Sequence, residues 1–192
     1  MNKHDEPIRQ KIIIATISCI EKLGMRGLTV RAIAKEAGVN VAAVNYYFGS
    51  KDALLDTLMK QTLDHMTEDV KEMMEGSPRG ILEEIFGYLL SGALLYPNFT
   101  KAHLYNIFTA GDYRGGFVKR INQILEEVYG HVGPALRGKD EQDKKNALTQ
   151  MFYTVFFSGT MPDLFKKFRG ADLHDRDSMD RYIKSILDAY LD

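Results

Sequence analysis

Between Thr29 and Lys51, in the run TVRAIAKEAGVNVAAVNYYFGSK, the side chains are of the kinds that suit the surface of a nucleic-acid duplex. Arg31 can donate bidentately to a guanine edge, and Asn40 or Asn45 can pair with an adenine edge. Val41, Ala42 and Ala43 are small or apolar enough to lie against a thymine methyl. Thr29, Tyr46, Tyr47 and Lys51 offer hydroxyl and ammonium donors for phosphates, contacts that fix register and add affinity without reading sequence. These ten residues are useful only if the chain holds them on elements that fit a groove.

The spacing supplies such elements. Val30, Ile33, Ala34 and Ala37 fall at i, i+3, i+4 and i+7, giving one apolar face of a short helix. Gly38 follows, where a residue of positive φ ends a helix without a Cβ penalty. Asn40 is a good N-cap for a second helix over about Val41 to Phe48. That helix keeps only Val44, Tyr47 and Phe48 for a core, and its small Ala42 and Ala43 allow close approach to another surface. Two short helices joined by a tight turn containing Gly is the arrangement that lays the second helix in a DNA major groove.

The string from Ile12 through Leu55 resembles the N-terminal domain of TetR-type transcriptional regulators. The residues that carry the resemblance are Ile12, Ile13, Ala15, Gly24, Thr29-Val30-Arg31, Ile33-Ala34, Ala37-Gly38-Val39, Tyr47-Phe48, Ser50-Lys51 and Leu54. They cover about a quarter of the chain. One position departs: Asn45 stands where the family most often has Tyr, so the family's usual phosphate contact does not carry over there. The resemblance implies a homodimer joined through its last two long helices, an effector cavity among the middle helices, and repression relieved by a ligand.

Other chemistries lack their residues. His4, His65, His103, His131 and His174 form no metal spacing, Gly111 and Gly115-Gly116 open no phosphate loop, and Phe157-Ser158-Gly159 lacks the first glycine of a nucleophile elbow. Neighbours Glu83-Glu84 and Glu126-Glu127 on helices face different directions, as solvated faces do. Cys19 is the only cysteine, so no internal disulfide can form, and its neighbours at helical spacing make it a small buried hydrophobe. We expect no catalysis, no cofactor and no metal.

Hydrophobic residues make up 45% and charged residues 27% of the 192, the balance of a globular chain and not of a disordered one. The net charge of −1 conceals an asymmetry. Residues 1–60 hold nine Lys/Arg against six Asp/Glu, and the remainder holds sixteen against twenty. A mildly basic head on an acidic body suits a carried DNA-binding module, although solvated faces give similar differences. The first ten residues have no apolar signal core, and the longest nearly apolar stretch, Gly87 to Tyr96, is far short of a membrane span. A cytoplasmic location without membrane contact is expected.

The remaining chain reads as helices, so the fold class is all-α. A first helix runs from about Pro7 to Gly24, and Ser50 caps a long fourth helix that persists to about Met74. Ser77 to Gly80 reads as a connector, followed by helices over Ile81–Leu95, Lys101–Thr109, Phe117–Tyr129, Glu141–Ser158 and Met179–Leu191. The division expected is a DNA-binding domain over residues 1–50 and an effector-binding and dimerisation domain over 51–192. Leu148, Met151, Phe152, Val155 and Phe156, with Met179, Tyr182, Ile183, Ile186, Leu187 and Tyr190, cover more of the last two helices than a one-sided surface helix needs. Either these residues form the monomer's core, or they form a dimer interface of the kind that the resemblance implies.

Aromatic and Met side chains mix with polar tips at Met59, Met66, Phe86, Tyr88, His103, Tyr105, Phe108, Thr109 and Phe152. A ligand pocket wants that blend, which an ordinary core can also show. The reading is a sequence-specific regulator, a homodimer released from an inverted-repeat operator in double-stranded DNA by a small hydrophobic or aromatic ligand. The alternative is a DNA-binding regulator or adaptor without a small-molecule effector, its body binding a protein partner.

Overall fold

The computed structural model describes residues 5–164 and 166–191. His4, one of the five histidines considered above, lies outside them. Among the described residues the chain is helical: α1 (Asp5–Gly27), α2 (Val30–Ala37), α3 (Val41–Phe48), α4 (Lys51–Glu72), α5 (Pro78–Leu95), α6 (Pro97–His103), α7 (Tyr105–Ala110), α8 (Gly116–Val132), α9 (Glu141–Thr160), α10 (Lys166–Arg169) and α11 (Arg176–Tyr190). They form two compact units. The first comprises the residues up to Asp64 together with Asn98–Asp112, and the second His65–Pro97 together with the chain from Tyr113 onward.

The first unit is built on α1. Its face of Ile12, Ile13, Ala15, Cys19 and Ile20 is buried, and Ile33, Ala34, Val44, Leu54 and Leu58 from α2, α3 and α4 close the same cluster. Thr16 is fully buried within α1, its hydroxyl donating to the Ile12 carbonyl at 2.7 Å. The regular helix breaks where expected, at Gly24, whose φ of 66° a Cβ would oppose, and one further turn carries on to Gly27.

The second unit packs α5, α8, α9 and α11 around Phe86, Leu82, Ile85, Leu90 and Met151, all buried. Phe86 meets Phe152 edge to face, ring centroids 5.3 Å apart. Helix α9 crosses α5 at Gly159, where an added Cβ would come within 2.5 Å of the Ala93 Cβ. Near the chain end, the Leu136 backbone bridges to Leu191 and the Arg137 guanidinium donates to the Asp188 and Ala189 carbonyls at the end of α11.

Several boundaries differ from the sequence reading. Pro78, Arg79 and Gly80, expected in a connector, form the first turn of α5: the Ser77 hydroxyl accepts from the Gly80 N–H at 3.1 Å, and a proline at the start of a helix has no amide to lose. The expected helix over Lys101–Thr109 is two helices, α6 and α7, the first beginning at Pro97. The short α10 was not foreseen. Of the apolar set on α9 and α11, Leu148, Met151, Phe152, Val155, Met179, Ile183, Ile186 and Leu187 are buried within their own unit, while Phe156, Tyr182 and Tyr190 are half-buried. The large apolar side chains that α9 exposes are Tyr153, 61% exposed, and Phe157, 44% exposed.

The crossing at Gly159 makes a test of this packing. Gly159→Val should lower the stability of the second unit by about 1–3 kcal/mol, the usual cost of overpacking. Adding Ala93→Gly should recover part of it. A urea midpoint unchanged by Gly159→Val would contradict the close crossing.

Candidate nucleic-acid interface

Each end of α2 and α3 is closed by its own sequence. Thr29 is extended (φ −129°), and its hydroxyl oxygen accepts from the Ala32 N–H at 3.1 Å. Gly38 takes the left-handed conformation (φ 62°, ψ 37°) and returns its N–H to the Lys35 carbonyl, while the Val39 N–H reaches the Ala34 carbonyl at 3.0 Å. The Asn40 side-chain oxygen accepts from the Ala43 N–H at 2.8 Å and caps α3. At the far end Gly49 (φ 75°) gives its N–H to the Asn45 carbonyl, and Ser50 caps α4 by accepting from the Ala53 N–H.

A polar brace fixes α2 on α1. The Glu36 carboxylate accepts from Lys22 Nζ at 2.7 Å and from the Ser18 hydroxyl at 2.8 Å. The bond to Lys22, then that to Ser18, holds the Glu36 carboxyl below the ordinary carboxylate value. Its contribution is therefore present at neutral pH and is lost only as the pH falls through that lowered value. At the other end of the unit the Arg9 guanidinium lies over the Phe48 ring, 5.1 Å from its centroid. Neither the brace nor Arg9 was singled out from sequence, because their partners lie 14 to 39 positions away in charge-rich stretches without a motif.

With Val44 and Phe48 buried, α3 turns Val41, Ala42, Asn45 and Tyr46 outward, at i, i+1, i+4 and i+5 on one face. Tyr46 is 76% exposed. Arg31 and Asn40 are also exposed. Capping uses the oxygen of Asn40 and leaves its amide hydrogens to donate; it uses a lone pair of exposed Thr29 and leaves the hydroxyl hydrogen. Ala43 is half-buried, and so is Tyr47, whose ring stands edge-on to Tyr46 at 5.1 Å. Lys51 is half-buried too, its Nζ 3.4 Å from the Leu28 carbonyl, so part of its role is to hold the start of α4 to the α1–α2 turn.

Residues 12–58, which contain α2 and α3 and their caps, match the family model of bacterial regulatory proteins of the tetR family. In this segment the chain is similar to the TetR family, and the match covers about a quarter of its length. Its relatives include the HTH-type transcriptional regulator BetI 2 of Chromohalobacter salexigens, 35% identical over 100 residues, which are 52% of this chain and 46% of that protein. The match thus spans about half of that relative. The HTH-type transcriptional regulator BetI of Vibrio campbellii is 24% identical over 80% of both chains. In fold, a TetR family transcription regulator from Marinobacter aquaeolei VT8 superposes with a TM-score of 0.73 over the whole of both chains at 17% identity. Both of these curated relatives are HTH-type transcriptional regulators. Among the described residues no helix is long and apolar enough to cross a membrane.

The nine residues singled out for a ligand divide between the two units. Met59, His103, Tyr105, Phe108 and Thr109 fall in the first, and Met66, Phe86, Tyr88 and Phe152 in the second. Phe86 and Phe152 are core residues packed on each other. The Tyr88 hydroxyl donates to the Asp69 carboxylate at 2.6 Å; burial first, then that bond, pushes its ionisation far above the ordinary tyrosine value. The Thr109 hydroxyl is turned onto its own helix, donating to the Tyr105 carbonyl, while Phe108 is 71% exposed. His103 lies 3.3 Å from the Thr62 hydroxyl and edge-on to Phe99, and burial lowers its pKa to about 4. An open polar groove of about 530 Å³ in the second unit, lined by Lys71, Arg120, Asn122, Gln123, Glu126 and Glu127, holds none of the nine.

Two outcomes follow. Asn40→Asp keeps the cap and adds a favourable negative charge at the start of α3, so the melting temperature should hold or rise while DNA affinity falls. Retained affinity would place Asn40 away from DNA. For His103, the unfolded chain takes up a proton near pH 6.5 and the folded one only near 4, so stability should decline as the pH falls through that window. The decline should vanish in His103→Gln, as followed by denaturant midpoints at pH 7 and pH 4.5; an unchanged decline would assign it to other groups.

Proposed function

We propose that the chain is a homodimeric repressor that grips an inverted-repeat operator with two copies of α3 and is released by a small hydrophobic or aromatic ligand. The observation that carries this is the outward face of α3, where small, amide and aromatic side chains stand free of the core on a helix capped at both ends. Arg31, Asn40, Val41, Ala42, Ala43 and Asn45 are assigned to base edges, and Thr29, Tyr46, Tyr47 and Lys51 to phosphates. A twofold axis sets two such helices a fixed distance apart, matched to successive major grooves.

In this reading residues 1–50 are the reading head, and 51–192 supply dimerisation and effector binding. The likeness of residues 12–58 to the tetR family model supports the first role, and the fold shared with TetR-type regulators is compatible with the second. Since Ile186 lies in the core of its own unit, the dimer contact is assigned to the face of α9 that carries the exposed Tyr153 and Phe157. A ligand that favours the released arrangement by about 1–3 kcal/mol would loosen operator binding about 5- to 150-fold. A protein partner on the body, in place of a ligand, is the alternative that a ligand screen separates.

Selection of bound duplexes from random DNA tests the core of the reading, with an inverted repeat as the expected product. On that repeat Arg31→Ala should cost about 1–3 kcal/mol and relax one base pair per half-site, whereas Lys51→Ala should weaken all sequences alike and reduce the salt slope by about one contact. A selected set without twofold symmetry would count against the dimer. Phe157→Asp, which leaves the core untouched, should sediment as monomer; a persistent dimer would move the interface elsewhere.

A further inference from the structure

The chain enters the unit that bears α3 twice. Residues up to Asp64 make its first pass and Asn98–Asp112 its second, whereas the segments on either side of the second pass belong to the other unit. Two helix ends hold the returning segment in place. Helix α1 loses its regularity at Gly24, so the carbonyl of Glu21 lies in the last regular turn, where carbonyls run out of helical donors. The Asn98 side-chain amide donates to it at 2.9 Å. Helix α6 begins at Pro97, and its first amides have no helical acceptor. The Glu21 carboxylate accepts from both, from Asn98 N–H at 3.1 Å and Phe99 N–H at 3.0 Å. Each helix end therefore caps the other, and a carboxylate at a helix N-terminus adds favourable charge–dipole energy.

Apolar contacts back the cap: Ala102 is buried in the same cluster as Ile12, Leu54 and Leu58, and Phe99 packs against that cluster. The other neighbours of Glu21 on α1 lead to the reading helices. Ser18 and Lys22 hold Glu36 of α2, and α2 shares its core with α3. One turn of α1 thus grips the returning segment with Glu21 and the helix-turn-helix with Ser18 and Lys22.

We propose that Glu21 and Asn98 are positioning residues for DNA binding. Their mutual cap fastens Asn98–Asp112 to the turn of α1 that also braces α2, and so steadies the core on which α3 is set. Without the cap, apolar contacts such as those of Ala102 and Phe99 are left to hold the segment, and the turn of α1 that braces α2 is set less firmly. This rests on the reading that α3 binds DNA, and neither residue touches the duplex in it.

The test uses the full chain and the duplex that it selects from random DNA. Glu21→Ala and Asn98→Ala should each weaken binding to that duplex by roughly 2- to 30-fold, the range that loss of a helix cap implies. The double variant should be little worse than the weaker single one, because both remove one device. Glu21→Gln, which keeps a side-chain oxygen to accept the two amides, should restore most of the affinity. Hydrogen exchange at Asn98 and Phe99 should speed up in both Ala variants, with circular dichroism and cooperative melting retained. Unchanged affinity with faster exchange would overturn the proposal, as would additive effects or no rescue by Gln. Asn98→Ala removes only one bond to Glu21 and serves if Glu21→Ala does not fold. A wild-type chain that selects no duplex would instead sink the DNA-binding reading, with exchange at Asn98 and Phe99 still reporting whether the cap exists.

Discussion

A helix of eight residues does not hold together in water: it leaves up to four amides and four carbonyls without helical partners and gains little from propagation. Both α2 and α3 are that short, and they are the elements on which the function depends. Their ends are closed by Thr29, Gly38, Asn40 and Gly49, and their inner faces are buried through Ile33, Ala34, Ala37, Val44 and Phe48. End closure and one-sided burial together make α3 a rigid object whose other face is unused. That unused face is what a duplex can meet. The same residues that cap also stand at the surface, so Thr29 and Asn40 combine a structural bond with a spare donor.

The second unit answers a different requirement. Four longer helices bury enough apolar surface in Phe86, Leu90, Met151, Val155 and Ile183 to stand without a reading role. The close crossing at Gly159 sets how near α5 and α9 approach. Tyr153 and Phe157 are left exposed on α9.

What was legible in the sequence was local. The caps and the apolar spacings of α2 and α3 are written within a few residues, and so were Gly24, Ser50 and the outward set on α3. The connector at Ser77 was misjudged because Pro and Gly mark both turns and helix starts; the Ser77 hydroxyl on the Gly80 amide decides between them. The faces of α9 and α11 could not be divided from sequence, since an apolar residue looks the same whether it packs on its own unit or on a second copy. Ile186 proved to be core. Contacts between distant positions, such as Glu21 with Asn98 and Ser18 with Glu36, leave no periodic trace, and the residues chosen for a pocket were spread over both units for the same reason.

The central claim is that the outward face of α3 lies in the major groove, once per half-site. Methylation interference on the selected duplex addresses it most directly, because a methyl on guanine N7 blocks the major groove and leaves the minor groove open. The account predicts two clusters of interfering guanines on one face of the duplex, separated by about one helical turn or a multiple of it. Interference absent from the major groove, or confined to adenine positions in the minor groove, would contradict it.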